Sequence, residues 1–169
     1  MTRKDGFNLG ISVNLINIGS LYSTQKDYRK AMEYFQQSLD IKKRINDIPG
    51  IEKCLNHIGT AKANLGDWEN AIYHYTEALK ITRKLDDLRD IAMCTINIGS
   101  DYQLSKEFST AIRWASAGYK LSKEINDLDL MSESAKVLYE SYESQGDYTS
   151  AFNQLKLYKQ LTHFAAIRP

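Results

Sequence analysis

Residues 17–35 read NIGSLYSTQKDYRKAMEYF, and the same pattern returns as HIGTAKANLGDWENAIYHY at 57–75 and NIGSDYQLSKEFSTAIRWA at 97–115. The interval is forty residues each time, without insertion. Gly19, Gly59 and Gly99 share one place, which Tyr139 takes in a fourth copy. Ala31, Ala71, Ala111 and Ala151 keep the same register, as do Tyr28, Trp68, Phe108 and Tyr148. Ile18, Ile58, Ile98 and Leu138 precede the glycine place. A fixed period of this length is the mark of a stacked repeat architecture.

Each copy reads as two helices. In the second, Ile51, Cys54, Leu55, Ile58 and Ala61 follow a 3.6-residue period, and so do Trp68, Ala71, Ile72, Tyr75, Ala78, Leu79 and Leu85. Between them, Gly66 suits a left-handed helix C-terminus and Asp67 an N-cap. Asp27 and Asp147 repeat the cap, with Glu107 a weaker substitute, while Lys26 and Lys106 replace the glycine at a conformational cost. Asp47, Asp87 and Asp127 cap the following first helices, and Pro49 fits an opening turn. A mid-helix glycine costs roughly 1 kcal/mol relative to alanine. The reading that offsets this is close approach, with Gly19, Gly59 and Gly99 facing Ala31, Ala71 and Ala111 or their neighbours, and with the Tyr139 pair splayed or repacked. The pattern predicts eight helices, in pairs opening near residues 7, 48, 88 and 128, and no sheet. The expected organisation is one domain over 1–169, with repeats at about 8–47, 48–87, 88–127 and 128–167.

Of the 169 residues, 43% are hydrophobic and 25% charged, and the net charge is +1, so the chain has the balance of an ordinary globular protein. No block of like charge points to nucleic acid or an anionic membrane. No apolar run is long enough to span a bilayer, and MTRKDGFNLG lacks a signal-peptide core. Cys54 and Cys94, forty apart, fall on corresponding helices. They read as free, buried thiols of a reducing, cytoplasmic compartment. His57, His74 and His163 lie on different helices without metal spacing, and no phosphate loop or metalloprotease motif occurs. Asp86 and Asp87 read as cap and helix-dipole residues. No catalytic residue, metal or cofactor is therefore expected, and neither is enzymatic activity.

Leu55, Ile58-Gly59, Gly66, Trp68, Ala71, Tyr75 and Ala78 together resemble the tetratricopeptide repeat. Lys62 stands at the family's tyrosine place, which Tyr22, Tyr102 and Tyr142 hold in the other copies. The period of forty exceeds the usual ~34 residues, and the closing proline is missing. That resembles the long-repeat branch of kinesin light chains, polarity adaptors and bacterial signal-transduction regulators. The resemblance implies an all-α fold, a right-handed α-α superhelix (solenoid) of four antiparallel helical hairpins. It also implies a concave groove lined by the first helices. By resemblance, the groove positions are Val13, Ile16, Asn17, Ser20 and Thr24 in the first repeat. The second contributes Lys53, Asn56, His57, Thr60 and Asn64, and the third Met93, Ile96, Asn97, Ser100 and Gln103. Amides both donate and accept, so a ladder of them suits a peptide backbone. The Lys/Asn/Arg clamp of chaperone-tail binders is absent, its places being held by Ile16, Ser20, His57, Met93 and Asn97. The fourth repeat carries Glu133, Lys136, Glu140 and Glu143 instead.

The expected function is a protein- or peptide-binding scaffold or adaptor using this groove, with no nucleic-acid or membrane partner. The rival is a sensory or regulatory segment of a larger bacterial signalling protein (histidine kinase, cyclase or transcriptional regulator). A structural spacer or self-association unit is a third reading. Lys156 and Lys159 partly cap the last helix, yet Phe152, Leu155, Leu161, Phe164 and Ile167 stay apolar. The stack ends thus fit a flanking domain or self-association, and a stand-alone adaptor would stop near Pro169.

Overall fold

The computed structural model describes residues 3–166, with side chains from Asp5 onward; Ile167 and Pro169 lie outside the described residues. Eight helices and no strand occur among them: α1 (Arg3–Thr24), α2 (Tyr28–Arg44), α3 (Ile48–Asn64), α4 (Trp68–Leu85), α5 (Leu88–Leu104), α6 (Phe108–Glu124), α7 (Leu128–Ser144) and α8 (Tyr148–Ala166). They divide into two compact units, Met1–Lys84 and Leu85–Pro169, each holding two helical hairpins.

The turns repeat every twenty residues, half the sequence period. Lys26, Asn46, Gly66, Asp86, Lys106, Asn126 and Gly146 all have φ between 54° and 80°. The residue after each is Asp or Glu, and in six turns its N–H closes back on the preceding helix, as in Asp27 to Tyr22 O (2.9 Å) and Asp67 to Lys62 O (3.0 Å). This is the Schellman closure. The same aspartate then starts the next helix. Asp27, Asp47, Asp87, Asp127 and Asp147 accept from the first-turn N–H groups of Lys30, Gly50, Asp90, Leu130 and Ser150. Glu107 makes no side-chain cap bond, in keeping with its reading as a weaker cap. The left-handed backbone at Asn46, Asp86 and Asn126 was not foreseen, although Asn and Asp tolerate that region best after Gly.

In the first unit, α1 packs on α2 and α2 on α3. Ala31, Phe35, Leu39, Cys54 and Ile58 form the core, flanked by Ile16, Tyr22, Ile51 and Leu55. A polar thread runs through it, with Cys54 Sγ donating to Ser38 Oγ (3.4 Å) and Ser38 Oγ to Ser12 O (2.8 Å). In the second unit, Ala92, Ile96 and Leu130 form one cluster. Ala115, Val137 and Leu138 form another, with Ile112 and Tyr142 against it.

The glycines admit something larger than the expected alanines. A Cβ on Gly19 would stand 2.6 Å from the ring of Phe35, and one on Gly59 2.8 Å from the ring of Tyr75. In these hairpins the missing side chain makes room for an aromatic ring. Ala115 holds the ring's place in the third repeat, and there the backbones approach instead, with Ala115 N at 3.0 Å and Ala111 O at 3.3 Å from a Cβ on Gly99. Tyr139 is half-buried and α7 packs on α8 as extensively as α5 on α6, so that pair is repacked rather than splayed.

Candidate functional site

The expected groove residues separate by one-residue register. Ile16, Asn56 and Ile96 are equivalent, and they turn inward. Ile16 packs on the first core, Asn56 is 7% exposed and Ile96 2%. The Asn56 amide donates to Glu52 Oε1 within its own helix. This removes Asn56 and Ile96 from the surface on which the sequence reading put them. Adjacent helical residues point about 100° apart, so the neighbouring place faces outward instead.

That neighbouring place holds Asn17, His57 and Asn97. Asn17 is exposed and Asn97 half-buried. Neither makes a side-chain hydrogen bond among the described residues, and neither do the half-buried Ser20, Ser100 and Gln103. Their hydrogen-bonding capacity remains open to a ligand. In the second repeat the same surface is largely committed. His57 stacks on Phe35 with ring centroids 4.8 Å apart. Burial, aided by Lys53, holds its imidazole below the usual value, so it is neutral near pH 7. Thr60 Oγ1 donates to Asn56 O (3.0 Å) and accepts from Tyr75 OH (3.0 Å). Asn64 donates to Thr60 O (2.8 Å). Lys53 is exposed, and the half-buried Met93 leans on the Ala92–Ile96–Leu130 cluster.

Two features lay beyond the sequence pattern. A cavity of about 600 Å³ lies between α2, α3 and α4, with Met32 and Ile58 beside Arg29, Lys62 and His74. None of the expected groove residues lines it. Asp101 is 3% exposed with Oδ2 unpartnered, and burial pushes its carboxyl up to about 7. Among the described residues no cluster of metal-ligating groups occurs, and no helix is long and apolar enough to cross a membrane.

Profiles of the tetratricopeptide repeat match residues 52–124 and 14–44, together more than half of the chain. The chain belongs to the tetratricopeptide repeat family. Its fold is also that of several solved structures. Aspartyl phosphate phosphatase F from Bacillus subtilis aligns over 95% of this chain and 42% of its own, with TM-score 0.87 and 17% identity. A Rap protein complexed with Competence and Sporulation Factor aligns over 92% and 43%, with TM-score 0.84 and 19% identity. BtubC (BKLC) from P. vanneervenii aligns over 94% and 65%, with TM-score 0.81 and 18% identity. The chain thus spans less than two thirds of the length of each. No curated protein matches it by sequence. These similarities establish an all-α superhelical repeat fold.

Proposed function

We propose that the chain is a protein- or peptide-binding module that takes its ligand along the outward faces of its first helices. The observation that carries this reading holds in each unit by itself: Asn17 and Ser20 of α1 in the first, and Asn97, Ser100 and Gln103 of α5 in the second, make no side-chain hydrogen bond among the described residues. Asn17 and Asn97, like Ser20 and Ser100, sit at equivalent repeat positions, and all five groups carry no charge and can pair with a peptide backbone. His57, Thr60 and Lys53 serve as the apolar and polar flank in the second repeat. Repeat proteins generally bind along such a face. The ligand class agrees with the name of one similar structure, a Rap protein complexed with Competence and Sporulation Factor.

A second reading is favoured by length. The chain covers under half of aspartyl phosphate phosphatase F and of the Rap protein, two of the structures it resembles, which suits a regulatory segment within a larger signalling protein. Ligand binding is common to both readings.

The test is selection of a binding peptide from a displayed library, followed by titration against variants. Asn17→Ala and Asn97→Ala are expected to weaken binding by about 0.5–1.5 kcal/mol per lost hydrogen bond. Lys84→Ala should leave it unchanged, and salt should matter little because the face is nearly uncharged. Unaltered affinity in both Asn variants, with folding intact, would move the ligand to another surface, the α2–α3–α4 cavity first.

A further inference from the structure

The repeat that stacks helices inside each unit leaves both of its mating faces exposed elsewhere in the chain. In the second unit, Ile112 and Ala115 of α6 pack on Leu138 of α7. In the first, Phe35 and Leu39 of α2 receive Ile58 of α3 in the same way. Forty residues after Ile112 and Ala115 come Phe152 and Leu155 of α8, on the face that receives a first helix. Forty before Ile58 comes Ile18 of α1, on the face that inserts.

Both faces are open to solvent. Phe152 is 67% exposed, and with Leu155 and the stems of Lys156 and Lys159 it lines a cavity of about 340 Å³. Ile18 and Leu21 are 37% and 62% exposed, whereas their counterparts Ile58, Ala61 and Leu138 are at most 4%. Exposed apolar patches with polar rims mark association surfaces. The sequence carries both halves of one interface that it already builds twice internally.

We propose that the outer face of α8 receives α1 of a second copy of this chain, so that copies associate head to tail. The contact is heterologous, because the two surfaces differ. Two copies joined in this way still leave one receiving face and one inserting face free, and growth continues beyond the dimer.

Light scattering across a concentration series of the chain tests this, with Phe152→Asp to disable α8 and Ile18→Lys to disable α1. The wild-type mass is expected to rise with concentration past the dimer. Each variant alone is expected to weaken association at least ~tenfold. An equimolar mixture of the two variants should form a one-to-one pair and stop there, since each retains one working face. Circular dichroism verifies folding, and Leu21→Lys provides a second α1 variant at a more exposed position. A wild type that stays monomeric, a mass that halts at the dimer, or a mixture that fails to pair would each overturn the proposal.

Discussion

The ring of Phe35 occupies the space that a side chain on Gly19 would need, with Cε1 2.6 Å from the Cβ position. Phe35 is 1% exposed, and His57 stacks on it, so the ring has little room to retreat. Gly19→Ala should therefore destabilise the protein by about 1–3 kcal/mol, overpacking outweighing the helix propensity gained. Gly10→Ala, with nothing within 4 Å of its Cβ position, should instead stabilise by up to ~1 kcal/mol. Urea unfolding of the pair reads the contrast.

Lys26 and Lys106 adopt φ of 61° and 67° where Gly66 and Gly146 stand in the alternate repeats. A side chain in that region costs about 1–2 kcal/mol. Lys26→Gly and Lys106→Gly should each raise stability by about 0.5–1 kcal/mol, and Gly66→Ala should lower it. Thermal melts of the three variants decide this.

Lys42 is 4% exposed and its ammonium lies 2.6 Å from Asp47 Oδ2. Burial alone would raise the Asp47 carboxyl, but the hydrogen bonds from Lys42 and from Gly50 N–H hold it below the usual range. Asp47→Ala removes both the cap and the partner of a buried cation, at a cost of about 3–5 kcal/mol. Because the folded carboxyl is depressed, its contribution is present above its unfolded value and is lost as pH falls through its folded one. In the wild type this loss falls below about pH 4, and Asp47→Ala should lack it in acid-unfolding curves.

Asp101 has the opposite sign. Its carboxyl is raised to about 7 by burial, so the folded state holds a proton that the unfolded state has released. Stability should fall as pH rises from about 4 to 7 and level off above. Asp101→Asn should abolish that slope and stabilise the protein at pH 8 by on the order of 4 kcal/mol, with little change at pH 4. Denaturation at the two pH values measures it.

Cys54 is fully buried, donates to Ser38 Oγ, and has its thiol pushed up by burial. Native-state labelling of Cys54 should be slow, and Cys54→Ala should cost packing energy while leaving ligand binding intact. Rapid labelling under native conditions would contradict the placement.

The forty-residue period, the number of helices and most of their caps were legible in the sequence, because these depend on local signals. Apolar spacing sets a helix, Asp before it satisfies its free N–H groups, and Gly66 or Gly146 ends the one before. What the glycines accommodate was not legible. Ala31 and Phe35 both lie on the partner helix, and only the packed hairpin shows which of them meets Gly19. The outward face of the first helices was legible to within one residue of rotation. Asn17 and Asn97 point out, whereas Asn56, expected in the same groove, points in and bonds to Glu52. A repeat pattern states which residues share a helical stripe, but the rotation of each helix about its own axis is decided by its neighbours. Tertiary packing chose between positions 100° apart, and with that choice it decided which amides remain available to a ligand.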